Sequence, residues 1–494
     1  MDTEERKALI ERFFYPKSIA VIGVSSNEKA FTTLYLYALM KFGFKGKIYP
    51  VNPRGGTIYG LQMFPNIQEI PDSVDLAIVG VPGKVVPSAL EDCLAKGIKA
   101  AIVLSAGFSE AGDEGKKLQK EMNTVIAKGI RVIGPNCFGI YCPSGGITVK
   151  PGDNFPKENG PVALITQSGL FTEMIVLQSR GMGIRFSKVI SYGNASDLNE
   201  ADFLELLADD PDTKVITCYI EGVKDGRRFL ETVRRAVKIK PVLIWKAGQT
   251  EIGRAAAGSH TGSLGGSEAI WNTFFAQSGA VRIDSIETLI DNTIAFLHLL
   301  PNCGRRVALV SGSGGVAVTG ADICERSGFT LPAFSVDLQQ KIRSFLPPVI
   351  AGLRNPFDLA DPFPPAEVLT PVLETIAGSG LIDTLILQRI FLSVKGPRFV
   401  FGTLPVPEEG RERLKEIPVS IRDRFNIPVV MVLNEELSDD DKIEFETDRR
   451  LLRSYYLAKG LPVYPTVERA VKALANVVRY KERFHKEVGL GGQS

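Results

Sequence analysis

Three times along this chain a short β-branched run ends in a glycine- or serine-rich turn and passes into a helical pattern. The runs are SIAVIGVSS at 18–26, PVALITQSG at 161–169 and RVALVSGSGG at 306–315. Turns of this kind open doubly wound α/β domains and aim the N-terminus of the following helix at an anion. Three openings predict three α/β domains, the number expected of 494 residues at roughly 100–200 residues per domain. The natural divisions are 1–145, 146–302 and 303–494.

Within the first domain, strands are expected at 19–22, 48–51, 76–79, 101–104 and 131–133, with helices such as 86–96 and 115–127 between them. That alternation is the pattern of a parallel sheet covered by helices on both faces. The stretch 142–160, with Pro143, Pro151, Pro156 and several glycines, reads as a linker. A second unit should place strands at 162–165, 186–190, 215–219 and 242–245 and a last helix near 286–300. The third begins at Arg305 and runs to about Arg483.

Composition narrows the partners. Against 58 basic residues stand 56 acidic ones, so bulk charge gives no reason to invoke nucleic acid or an acidic membrane. The start, MDTEERKALIERFF, lacks an apolar signal core, and no apolar run approaches the ~18 residues of a membrane span. A cytoplasmic protein is expected. Of the six cysteines only Cys137 and Cys142 lie close together, and nothing nearby completes a zinc set, so no metal site is expected and the thiols read as structural.

Chemistry concentrates in 247–267, AGQTEIGRAAAGSHTGSLGGS, which sets His260 among small residues in Gly258-Ser259-His260-Thr261-Gly262. With three histidines in the chain, an imidazole lacking apolar neighbours is presented rather than packed. Near neutral pKa it can act as a base or a nucleophile. A surface histidine without a role is the competing reading. Glu221 closes the run 215–222 and puts a carboxylate at the mouth of a strand, where it can accept a hydrogen bond from one ring nitrogen and leave the other to attack. A solvated turn carboxylate is the alternative there.

Two turns, Ser168-Gly169 and 312–315, precede helical patterns and should each offer unpaired N–H groups to an anion. No G-x-S-x-G elbow surrounds Ser168, which disfavours a serine hydrolase. The turn 23–28 has only the first glycine of G-x-G-x-x-G, which disfavours an NAD site. What remains is a set of strand-end loops rich in hydroxyls, amides and backbone donors: 23–26, 51–54, Val81-Pro82, 105–108 and 134–137.

In their order along the chain, FFYPKSIAVIGVSS, GFKGKIYPVNP, SAGFSE, GPNCFGI, ALITQSG, SYGNASDLNEADFLELLADDP, YIEGVKDGRRF, KPVLIWKAG, GSHTGSLGGS and NPFDL resemble the NDP-forming acyl-CoA synthetases, the group of succinyl-CoA synthetase and the ADP-forming acetyl-CoA synthetases. The resemblance covers essentially the whole chain. It implies a Rossmann-like CoA-binding domain followed by two flavodoxin-like CoA-ligase domains. By that resemblance His260 is the phosphorylated histidine and Glu221 the carboxylate that orients it. Ser168 and Gly169 open one phosphate-binding helix, and Gly314 and Gly315 open the other.

Coenzyme A is expected at Gly23, Ser25, Ser26, Lys45, Asn52, Pro53, Val81, Pro82, Ser105, Ala106, Gly107, Phe108 and Asn136. The family's first CoA turn continues with a glycine, whereas this chain has Lys29-Ala30-Phe31-Thr32-Thr33. No ATP-grasp segment accompanies these domains. The resemblance therefore implies a separate ATP-grasp β-type subunit bringing Mg²⁺ and ADP/ATP or GDP/GTP, in a hetero-tetramer acting on a small carboxylic acid or its acyl-CoA. A non-catalytic CoA-sensing protein on the same scaffold is the alternative.

Overall fold

A computed structural model describes residues 2–148, 155–255, 266–347, 352–360, 365–389, 408–434 and 443–484. The chain divides into two compact units, Met1–Leu289 and Ile290–Ser494.

The first unit holds one parallel sheet and one that is parallel except at an edge strand. Strands β1 (Ser18–Ile22), β2 (Lys47–Val51), β5 (Leu76–Val79), β6 (Ala100–Val103) and β7 (Arg131–Ile133) form the first in the order β2-β1-β5-β6-β7, all parallel. A small hairpin, β3 (Gly56–Ile58) with β4 (Leu61–Met63), lies between β2 and β5 in the chain. The second sheet comprises β8 (Gly139–Tyr141), β9 (Val162–Thr166), β10 (Phe186–Ser191), β11 (Val215–Ile220), β12 (Val242–Lys246) and β13 (Val281–Ile283), ordered β13-β12-β11-β9-β10-β8. In the second unit β14 (Val307–Ser311), β15 (Phe357–Asp358), β16 (Thr384–Arg389), β17 (Val429–Leu433) and β18 (Val463–Tyr464) form a parallel sheet ordered β15-β14-β16-β17-β18.

The three opening strands, SIAVI, VALIT and VALVS, bury all five of their residues. Crossover helices cover both faces of such a sheet, so its central strands carry unbroken apolar runs in place of an in–out alternation. Each fully buried Val, Leu or Ile contributes about 1.5–3 kcal/mol over its exposed state.

One strand departs from expectation. β8 pairs antiparallel with β10, matching Tyr141 to Val189 and Gly139 to Ser191, so the second sheet takes its edge from residues that follow the last strand of the first. The stretch 142–160 is likewise more than a linker in its described parts. Cys142 and Ile147 form a bridge, Ile147 and Phe155 are buried, and the Tyr141 hydroxyl donates to the Pro156 carbonyl at 2.5 Å. A few apolar residues anchor it, which a count of prolines and glycines conceals.

Polar contacts join the two sheets of this unit. Arg131 donates to Asp197 at 2.9 and 3.1 Å, and Asp197 also accepts the Val132 N–H at 2.8 Å. Asn136 Nδ2 donates to Asn194 at 3.4 Å. Every cysteine is buried and unpaired with another cysteine, and burial pushes the Cys137 thiol up to about 12. Among the described residues no helix is long and apolar enough to cross a membrane, and no group of three or more His, Cys, Asp or Glu is arranged to hold a metal ion.

Candidate active site

Parallel strands deliver their C-terminal ends to one edge, and the loops that leave that edge make the natural ligand crevice of an open α/β sheet. In the first sheet those loops are wired to each other. Gly23 N–H donates to the Val51 carbonyl at 3.0 Å, Asn52 Nδ2 to the Val24 carbonyl, Ser105 Oγ to the Val81 carbonyl at 2.5 Å, and Asn136 N–H to the Ser105 carbonyl at 2.9 Å. Gly23 has φ +96°, and a Cβ there would stand 2.6 Å from the Gly80 carbonyl oxygen, so no other residue fits. Ser26, Pro53, Pro82, Ala106 and Gly107 are exposed along this rim, and Ser25, Asn52, Val81, Ser105 and Asn136 are half-buried behind them.

The sequence departure at 29–33 has a local explanation. Helix Phe31–Phe42 begins without a side-chain cap, and Thr33 Oγ1 accepts the Ser25 N–H at 2.9 Å while donating to the Ser25 carbonyl at 3.0 Å. A threonine thus closes the turn.

Two of the expected CoA residues stand apart from this group. Lys45 precedes β2 and is exposed at the opposite, N-terminal edge, where Lys47 N–H bonds the Lys17 carbonyl ahead of β1. The basic side chain that does leave the C-terminal edge of β2 is Arg54, which the sequence reading did not assign; its backbone N–H donates to Asn52 Oδ1 at 2.8 Å and its side chain is exposed. Phe108 is fully buried in the core of the first sheet, so it anchors the 105–108 loop from beneath. Above it, Glu110 Oε1 accepts the N–H groups of Gly107 at 2.7 Å and Phe108 at 3.1 Å.

In the second sheet, β9 ends in Thr166-Gln167-Ser168 and helix Gly169–Gly181 starts at once. Ser168 N–H donates to Thr166 Oγ1 at 3.2 Å, and the Ser168 side chain makes no capping bond. No acidic residue occupies the first turn, so the positive helix end is left for an anion. Gly169 is required by contact: a Cβ would meet the Phe138 ring at 2.8 Å.

β14 repeats this turn in the second unit. Ser313 N–H donates to Ser311 Oγ at 3.1 Å, and helix Gly314–Arg326 also starts without a side-chain cap or an acid in its first turn. Here a carboxylate is resident, because a Cβ at Gly314 would lie 2.8 Å from Asp358 Oδ2. A Cβ at Gly315 would meet only Ser313 Oγ, at 4.0 Å.

Glu221 follows β11 and is 6% exposed. Its N–H and that of Gly222 both donate to Gln167 Oε1, the latter at 2.9 Å, and its carbonyl accepts Lys246 Nζ at 2.7 Å. Burial pushes the Lys246 ammonium down to about 8, opposed by the Glu221 charge. Phe171 and Tyr219 each pack edge to face with Trp245 beside this point, at 5.1 and 5.4 Å between centroids, and tilted against each other at 4.5 Å; burial followed by the Glu221 charge raises the Tyr219 hydroxyl. Gln167 and Lys246 were not singled out from sequence. His260 lies outside the described residues; the stem of its segment leaves β12 through Ala247, whose N–H donates to the Ile220 carbonyl at 2.9 Å.

Residues 17–143 match the CoA binding domain, 159–296 the succinyl-CoA ligase like flavodoxin domain and 307–464 the ligase-CoA domain. Over 490 residues the chain is 34% identical to the alpha subunit of acetate–CoA ligase [ADP-forming] I of Pyrococcus furiosus, covering 97% of this chain and 99% of that one. The chain belongs to the ADP-forming acyl-CoA synthetase family. A second synthetase of the family, acetate–CoA ligase [ADP-forming] I of Archaeoglobus fulgidus, is 40% identical over 351 residues; the match covers 71% of this chain and about half, 50%, of that relative's length. Among solved structures, the family fold matches the Ca. Korarchaeum cryptofilum dinucleotide forming acetyl-coenzyme A synthetase 1 in complex with phosphate and ADP. The TM-score is 0.83 at 30% identity, over 98% of this chain and 99% of that one.

Proposed function

We propose that this chain is the CoA-binding, phosphohistidine-carrying subunit of an acyl-CoA synthetase, with domains at 1–145, 146–302 and 303–494. The reaction is carboxylic acid + CoA + nucleoside triphosphate = acyl-CoA + nucleoside diphosphate + phosphate. Its main support is the gathering of the Thr166–Gly169 turn, Glu221 and the stem of the 247–267 segment at one strand edge of the second sheet.

In the direction of thioester cleavage, a phosphate oxygen attacks the thioester carbonyl and CoA leaves as the thiol, giving an acyl phosphate. A ring nitrogen of His260 then attacks phosphorus and the carboxylate leaves. Glu221 holds the other ring nitrogen and its proton, and the resulting charge is stabilised in a site poor in water. Ser168 and Gly169 present backbone N–H groups to the phosphoryl oxygens; Gly314 and Gly315 open the corresponding uncapped helix of the second unit. Phosphoryl transfer is mostly positioning and charge stabilisation, which such groups provide.

Coenzyme A lies along Gly23, Ser25, Ser26, Asn52, Pro53, Val81, Pro82, Ser105, Ala106, Gly107 and Asn136, with Arg54 as the cation for its phosphates. Mg²⁺ and nucleotide belong to a separate ATP-grasp subunit, two copies of each chain forming a cytoplasmic hetero-tetramer.

Calorimetry on the full chain tests the first domain. CoA should give binding heat and NAD none, and Gly23→Val should weaken CoA at least about tenfold, a loss of ~1.4 kcal/mol. Tight NAD binding without CoA heat would return the domain to a dehydrogenase reading.

A further inference from the structure

Gln167, Glu221 and Lys246 stand at the C-terminal ends of β9, β11 and β12 and are 8%, 6% and 1% exposed. Neighbouring strands of a parallel sheet need no such side chains to stay paired, since the ladder supplies their backbone bonds. The Gln167 and Lys246 side chains nevertheless turn to the backbone at one place. Gln167 Oε1 takes the N–H groups of both Glu221 and Gly222, while Lys246 Nζ donates to the Glu221 carbonyl at 2.7 Å and to the Ala247 carbonyl. Beyond that, the Lys246 carbonyl accepts Gln249 Nε2 at 2.7 Å, and the Gln249 carbonyl accepts Arg254 Nη1 at 2.8 Å.

A buried ammonium is costly unless it is hydrogen-bonded, and an apolar side chain of the same length would fill this space beside Trp271 without that cost. What a methionine cannot do is bridge two carbonyls. One of them belongs to Glu221 and the other to the first residue of the segment that leads to His260.

We infer that Gln167 and Lys246 are positioning residues for phosphoryl transfer, clamping the Glu221 peptide from its N–H and its carbonyl side and tying it to the stem at Ala247. This rests on the role given to Glu221 and His260 above. In that role both set where the Glu221 carboxylate sits, and a displacement of about 1 Å at such a group can cost roughly 10²-fold in rate.

The test is single-turnover phosphorylation of the full chain by labelled ATP with its partner subunit. Lys246→Met and Gln167→Leu should each slow labelling by about 10–100-fold with the Kd for CoA unchanged. Each should add less than about twofold when placed on Glu221→Gln, because a residue that acts through Glu221 has nothing left to position. Gln167→Leu carries the test alone should Lys246→Met not fold. A wild-type chain that takes no label overturns the proposed function and the clamp together. Labelling at the wild-type rate in the two variants, or a slowing that is the same with and without Glu221→Gln, overturns the clamp alone.

Discussion

In complex with its partner subunit, Glu221→Gln should phosphorylate itself about 10²–10⁴-fold more slowly than the wild type while binding CoA equally well. The carboxylate is nearly removed from water, and its backbone is held from both sides by Gln167 and Lys246. A carboxylate so placed fixes the tautomer of an imidazole and stabilises the charge that develops when the other nitrogen attacks. An amide of the same shape keeps the packing and loses the charge. Rapid-quench phosphorylation measures the effect directly, and an unchanged rate would make Glu221 a turn residue.

A larger effect is expected from the partner. Purified alone, the chain should bind CoA yet show no hydrolysis of ATP or GTP that depends on acid and CoA. Adding an ATP-grasp subunit should restore both nucleotide turnover and acyl-CoA formation, an all-or-none change. The three matched domains account for 17–143, 159–296 and 307–464. None of them is a nucleotide-binding module of that kind. Full synthetase activity from this chain, with no partner detectable by mass spectrometry, would mean that a nucleotide site lies within it.

The central strands were legible in the sequence because parallel strands buried on both faces are written as unbroken apolar runs. Those expected at 19–22, 76–79, 101–104 and 162–165 coincide with β1, β5, β6 and β9 to within a residue at either end. β8 was not legible. It is three residues long, follows a proline turn and takes its meaning from β10, nearly fifty residues later.

The same contrast holds at the site. Glu221, Ser168 and Gly169 read as edge-loop residues because a strand end followed by glycine announces a loop, and the structure sets them just past the C-terminal ends of β11 and β9. Lys45 reads with the same loops because a motif spans both edges of a strand and proximity in sequence hides which edge a side chain leaves; it precedes β2, and Arg54, nine positions on, follows it. Lys246 reads as an ordinary solvated lysine after a tryptophan. Its burial follows from Trp271 and the Glu221 carbonyl, neither of which is near it in sequence.

The central claim is a covalent one, and it is tested by mapping the label. With the partner subunit and labelled ATP, the chain should acquire an acid-labile, base-stable phosphoryl group that peptide mass spectrometry places on His260. His260→Ala should take none. A label that persists in His260→Ala, or that maps to another residue in the wild type, would contradict the account.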